Sequence, residues 1–324
     1  MAPSATETVT LSTRPAEPTQ VKLTSNTGPY KELAPIGYEK EAEEQGKDGF
    51  QAAKVCESLI LAEQKLSNQY RNYLPTWGNE KYPPLQPFEH HDPGLDADAS
   101  YPELLAKGVT TNDLTPTIGT EVTGVQLSKL SPAGKDQLAR FVAERKVVAF
   151  RDQDFADLPI NGALNYGRYF GRLHIHPTSG APEGYPEVHL VHRGAGDKTA
   201  EAFFQTRTSS VAWHSDVSYE LQPPGNTFLY ILDVPETGGD TLFANQVEAY
   251  NRLSEGFKER LHGLKATHSG IEQVDASRAK GGAVRREPVI SVHPVVRTHP
   301  VTGEKALYVN PQCKRENILI RPAN

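Results

Sequence analysis

The sequence predicts a mainly β domain with helices on its outside, a β-sandwich or jelly roll, and three observations predict it. Short runs rich in Val, Ile, Thr, Phe and Tyr recur from Thr115 onward, set apart by Gly, Pro and Asn. Helical spacing of apolar residues is confined to a few stretches between those runs. The hydrophobic set makes up 37% of 324 residues, beside 26 glycines, which suffices for one sizeable core with part of the chain left outside it.

The elements follow in order. Residues 1–28 are Thr, Pro, Ala and Ser with acidic residues among them, have little to bury and are expected to be disordered. Residues 29–112 read as an extended polar, Pro-rich arm over the core, as at Tyr82-Pro83-Pro84. Within the arm, Val55, Leu59, Ala62 and Leu66 fall at helical spacing, which suggests a helix between Gln51 and Gln69. The domain proper is expected over 113–312. Thr117 to Val125 alternates like a strand, and Ser131-Pro132 opens a helix with a cap residue followed by Pro at the first helical position. Leu138, Phe141 and Val142 share one face of that helix. Val147 to Phe150 then reads as a short buried strand, and a second helix is expected across Leu158 to Phe170. Val188 to Val191 and Thr227 to Val234 read as strands, the latter central. Asn245 with Glu248 resembles a capping box for a helix running through Leu264. The end alternates again, with Val295 to Arg297, a turn at Val301 to Glu304, and Ala306 to Val309.

Charge narrows the partners. With 34 basic and 40 acidic residues, a net of -6, the chain has no general attraction for phosphate backbones or anionic membranes. Cys56 and Cys313 cannot form a disulfide framework, no run approaches the roughly 18 apolar residues of a membrane span, and the first 20 residues lack the marks of a secretory or transit segment. A soluble, cytoplasmic protein is expected, without nucleic acid or membrane as partner; a homo-oligomer is compatible with the sequence.

The chemistry lies in histidine beside carboxylate. His214-Ser215-Asp216 places an imidazole and a carboxylate at i and i+2, which on a strand share one face. Both can then reach one borderline divalent metal, and with one further His they would make the facial triad of non-haem Fe(II) oxygenases. The competing reading is a His and an Asp satisfied by backbone partners at a strand end. His90-His91-Asp92 repeats the spacing, but Pro93 follows it in the polar arm and argues against an interior strand.

The wider stretch resolves the choice. Trp213 to Tyr219 (WHSDVSY), Pro223-Pro224-Gly225, and Gly238 to Asn245 (GGDTLFAN) resemble the taurine dioxygenase-like family of Fe(II)/2-oxoglutarate-dependent oxygenases, most of all its fungal sulfonate dioxygenase branch. Val147 to Gln153, Phe170 to Pro177 and His293 to Pro300 match as well, so the likeness runs from about Thr115 to Gln312. It implies a double-stranded β-helix (jelly roll), with Fe(II) as metal and 2-oxoglutarate and O2 as cosubstrates. The implied reaction hydroxylates an organosulfonate and releases sulfite, with succinate and CO2, in the service of sulfur scavenging.

Carried onto this sequence, the resemblance makes His214 and Asp216 two of three iron ligands. It makes Thr241 a hydroxyl that helps hold 2-oxoglutarate, and His176 a contact to the substrate's sulfonate. Ser210 falls where some relatives place a substrate-contacting amide. Trp213, Tyr219 and Tyr230 read as core residues.

The family's third ligand, a downstream His, and the Arg after it that pairs with 2-oxoglutarate find no match. The pattern holds through Tyr308-Val309-Asn310-Pro311-Gln312 and dissolves in a tail, 313–324. His293 and His299 match positions upstream of that ligand, and Arg321 lies too near the end to be anchored. The jelly roll is therefore expected to be incomplete at its C-terminus. Relative to the family, Val55 to Gln69 reads as an insertion, and a gene-reading artefact would account for both it and the tail. The alternatives are a catalytically inactive truncated member, a member acting on alkyl sulfates or aryloxyacetates, and, more remotely, a zinc hydrolase on the same fold.

Overall fold

A computed structural model describes residues 70–192 and 213–310, apart from 79, 235 and 280. The expected disordered start, the inserted helix between Val55 and Gln69 and the non-family tail lie outside the described residues.

The helix expected after Ser131 is present as α1, Pro132–Arg145. Ser131 caps it, its hydroxyl accepting from the Gly134 amide at 3.1 Å, and Lys146 ends it with φ 68°. Its inward face carries Leu138, Ala139 and Phe141 into a core with Leu104, Val122, Leu127, Phe155, Tyr166 and Phe170. Gln137, buried on the same helix, accepts from the Glu103 and Leu104 amides at 3.0 Å each, which fastens the preceding loop to the helix.

Beside α1 lies a three-stranded sheet in the order β1-β2-β3, formed by Thr110–Asp113, Thr120–Thr123 and Val148–Phe150. β1 and β2 are antiparallel, with Thr111 opposite Val122, and β3 joins β2 in parallel, with Phe150 opposite Val122. α2, Ile160–Arg168, buries Ile160, Leu164 and Tyr166.

The helix expected from Asn245 to Leu264 is two helices, α3 (Gln246–Asn251) and α4 (Glu255–Leu261). Asn245 does cap the first, accepting from the Val247 and Glu248 amides. Glu248 does not complete a capping box; it turns instead to Asn251 and Arg252. The chain then restarts at Ser254, and α4 carries no buried residue.

β4 (Lys265–Ser269) and β5 (Ile290–Pro294) pair antiparallel around the intervening α5, Ile271–Ala279. β6 (Val296–Thr298) and β7 (Lys305–Leu307) close the expected turn. Among the described residues no helix is long and apolar enough to cross a membrane.

Two expected strands do not form as ladders. Val188 to Val191 and Thr227 to Val234 have no strand assignment, and Phe228, Leu229, Ile231 and Val234 are exposed. Tyr230 and Leu232 of that run turn inward, Tyr230 donating to the Tyr73 hydroxyl at 3.1 Å and packing on Phe155. A ladder needs a neighbouring strand to pair with, and among the described residues neither run has one. The described residues thus hold strands and helices in three small sheets.

Of the arm, residues 70–112 lie against the rest of the domain. The Thr76 amide donates to Ala181 O, the Tyr82 amide to Arg285 O, and the Phe88 amide to the Gln222 side chain. Tyr73 is buried with Ile160 and Leu164.

Candidate active site

Asp216 opens a turn and His214 lies just ahead of it, neither on a strand. Residues 216–219 turn back on themselves, closed by the Glu220 amide donating to Val217 O at 3.0 Å. The turn nonetheless keeps the two side chains on one side. His214 Nε2 and Asp216 Oδ1 lie 3.9 Å apart, with 42% and 57% of the side chains exposed. Trp213, expected in the core, is 48% exposed, because it leads into a turn and strand alternation does not direct it inward. Tyr219 is buried as expected, and burial pushes its hydroxyl pKa well above the usual tyrosine range.

His176 is buried close by. Its Nδ1 accepts from the Thr178 and Ser179 amides at 3.3 and 3.0 Å, which assigns the proton of the neutral ring to Nε2. Burial, with the neighbouring His189, His174, Arg286 and Arg285, lowers its pKa to about 3. The ring packs on His189 with centroids 4.4 Å apart. His189 in turn lies within the field of Asp216, whose charge partly offsets the depression that burial imposes on it. His176 and the His214–Asp216 turn therefore belong to one electrostatic neighbourhood.

A buried ion pair frames this neighbourhood, and the sequence reading missed it. Glu220 Oε1 accepts from His174 Nε2 at 3.0 Å and from Arg286 Nη2. The Glu220 and Arg286 side chains are 4% and 2% exposed. Burial alone would raise the Glu220 pKa, but the hydrogen bonds from His174 and Arg286 and the Arg286 charge hold it below the usual glutamate value. Gln273 on α5 was missed too: its Oε1 accepts from the Tyr219 hydroxyl at 2.7 Å, which leaves its Nε2 3.4 Å from His176 Nε2. The matching stretch Phe170 to Pro177 pointed at His174, but nothing local marks Glu220, Gln273 or Arg286, whose partners lie 46 to 97 positions away.

The other sequence candidates fall elsewhere. Thr241 is exposed beyond Gly238 and Gly239, and no hydrogen bond joins it to His214, Asp216 or His176 among the described residues. Ser210 lies outside the described residues. Asp92 caps a short 3₁₀ turn by accepting from the Gly94 amide, so the carboxylate of the repeated His-x-Asp spacing is used locally, and the intervening His91 bonds to Asp96. His293 is buried with Nε2 on Glu220 O at 2.9 Å, and His299 Nδ1 accepts from the Val301 amide. Neither downstream His stands in for a third ligand, and among the described residues no group of three or more His, Cys, Asp or Glu could hold a metal.

Residues 110–319 match the family model described as "Taurine catabolism dioxygenase TauD, TfdA family". The chain belongs to the TauD/TfdA dioxygenase family. It is 46% identical over 259 residues to an alpha-ketoglutarate-dependent sulfonate dioxygenase of Saccharomyces cerevisiae, covering 78% of this chain and 63% of that protein. It is 42% identical over 246 residues to an alpha-ketoglutarate-dependent dioxygenase of Penicillium expansum, covering 75% of this chain and 66% of the relative. A solved taurine dioxygenase from Burkholderia xenovorans overlaps 63% of this chain and 65% of its own, at 29% identity and a TM-score of 0.43. The chain thus spans a little under two thirds of the length of these curated relatives. The TauD/TfdA match takes in His176, His214, Asp216 and Thr241, the positions that the motifs singled out.

Proposed function

We propose that this TauD/TfdA member is an Fe(II)/2-oxoglutarate-dependent dioxygenase acting on an organosulfonate, on a jelly-roll framework. The observation that carries the reading is the His214–Asp216 pair: an imidazole nitrogen and a carboxylate oxygen 3.9 Å apart on half-exposed side chains, inside the family-matched segment. The donor set suits a borderline divalent ion, and exposed side chains can converge on one by rotation. When bound, Fe(II) with 2-oxoglutarate and O2 supplies the oxidation that hydroxylates the sulfonate-bearing carbon, which then fragments to sulfite and an aldehyde, with succinate and CO2 formed alongside.

The chain's own residues divide the remaining work. His214 and Asp216 hold the metal. His176, neutral at any physiological pH, presents its Nε2–H to an anionic sulfonate oxygen. Gln273 turns its amide nitrogen toward the same space, so two donors face each other at 3.4 Å, an arrangement that an acceptor between them relieves. Thr241 and Ser210 keep their roles toward 2-oxoglutarate and substrate as part of this reading.

Fe(II), ascorbate, 2-oxoglutarate and taurine, supplied to the full chain, should yield succinate and sulfite in equal amounts, and His214→Ala should abolish both. Succinate without sulfite points to another substrate class. No succinate with sulfonates, alkyl sulfates or aryloxyacetates would favour the inactive reading.

A further inference from the structure

The turn that carries His214 and Asp216 contains a residue out of place. Val217 has φ 40°, in the left-handed region that a β-branched side chain avoids. Such a conformation persists only where surrounding contacts over-determine it. The contacts come from far along the chain.

Asn310 Nδ2 donates to Ser215 O at 3.0 Å and to Ser218 Oγ at 2.8 Å. Ser215 lies between His214 and Asp216, and Ser218 follows Val217, so one amide bridges the strained peptide from both sides. A carbonyl oxygen can only accept, which fixes the nitrogen of the Asn310 amide on this side. Its two hydrogens are then used on Ser215 and Ser218. The Ser218 hydroxyl is joined in turn to His268 Nδ1 at 2.9 Å. Ser218, His268 and Asn310 are all buried. His268 stands in β4, paired opposite Ser291 of β5, with Tyr308 stacked on its ring at 5.1 Å. The clamp is therefore mounted on a sheet, and the Ser215 carbonyl fixes which end of the Asn310 amide faces the turn.

We propose that Asn310 is a positioning residue for the His214–Asp216 pair: its amide, relayed through Ser218 to His268, holds the turn that keeps both side chains facing one divalent cation. The inference rests on the reading of that pair as cation ligands. Asn310 touches neither ligand side chain; it acts through the Ser215 peptide. Freeing that carbonyl lets the peptide planes on either side of Ser215 rotate, and the two donors drift apart.

The test uses the full chain with Asn310→Asp and Asn310→Ala. Asp keeps the shape but sets a carboxylate oxygen against Ser215 O, where it cannot donate. Gln137→Leu serves as the control, since it destroys a buried amide contact between α1 and its loop and leaves the turn alone. Two readouts are taken: hydrogen–deuterium exchange of the 214–220 peptide in metal-free protein, and Mn(II) affinity by electron paramagnetic resonance. Both Asn310 variants should exchange faster there and bind Mn(II) about 10- to 100-fold more weakly, while Gln137→Leu changes neither. Unchanged exchange in Asn310→Asp overturns the proposal, as does faster exchange with Mn(II) affinity at the wild-type value. Should both Asn310 variants fail to fold, Ser218→Ala cuts the relay alone and is read the same way. If the wild-type chain takes no Mn(II), the ligand reading falls by itself, and the exchange data still decide whether the clamp holds the turn.

Discussion

His174 donates to the Glu220 carboxylate at 3.0 Å, and that bond ties the stretch carrying His176 to the stretch carrying His214 and Asp216. Arg286 completes the tie from the loop ahead of β5, with its guanidinium on the same carboxylate oxygen. The two motif-bearing segments are thus held together by buried charge.

Removing one member of the buried pair leaves the other charged and unpaired. Arg286→Met is expected to cost about 3–5 kcal/mol, and Glu220→Gln to cost less, since it retains acceptor capacity. Urea unfolding followed by circular dichroism measures both. A loss for Arg286→Met no larger than that of a surface substitution would show that the pair does not organise the fold.

Acid should destabilise the protein well above the usual carboxylate range. Burial lowers the pKa of His176 to about 3 and that of His268 to about 4. Between those values and about 6.5 the unfolded chain binds these protons and the folded chain does not, so stability rises with pH across that window. Each histidine contributes a slope of at most about 1.4 kcal/mol per pH unit. The urea midpoint should fall as pH drops from 7 to 5, and His268→Asn should flatten the fall. A midpoint that holds or rises on acidification would contradict the assignment.

If His176 donates to the substrate's anionic group, His176→Ala should raise KM for a sulfonate about 10- to 100-fold, the worth of a hydrogen bond to a charged group. Mn(II) affinity should stay near wild type. Steady-state sulfite release against substrate concentration, with a parallel Mn(II) titration, separates the two. A fall in metal affinity with KM unchanged would move His176 from the substrate side to the metal side.

The core under α1 should behave independently of the site. Leu138 is fully buried, and Leu138→Ala is expected to cost about 2–5 kcal/mol, whereas loss of the Ser131 cap should cost about 1 kcal/mol. Neither should alter Mn(II) affinity once temperature is kept below the transition.

The parts of this arrangement that could be read from sequence are those fixed by neighbours in the chain. Ser131-Pro132 opens a helix through contacts within three residues, and the apolar Val148–Phe150 run does form a strand, though a half-buried one rather than the buried one expected. Thr227 to Val234 has the same composition as a strand but forms no ladder among the described residues, because pairing depends on a partner that composition does not specify. The break between α3 and α4 was hidden by apolar residues that keep helical spacing across it. At the site, the spacing of His214 and Asp216 was legible while its cause was not. A strand was expected to align them; a strained turn does so, held by Asn310 from 95 positions away. Glu220 and Arg286 were invisible for the same reason, since a charge in sequence reads as surface until its partner is known.

The central claim is that His214 and Asp216 together hold a divalent metal. A Mn(II) titration of the full chain beside His214→Ala and Asp216→Ala, read by electron paramagnetic resonance, tests it most directly. The account predicts one Mn(II) per wild-type chain and loss of that binding in both variants. Binding that survives either substitution, or wild-type protein that takes up none, would contradict it.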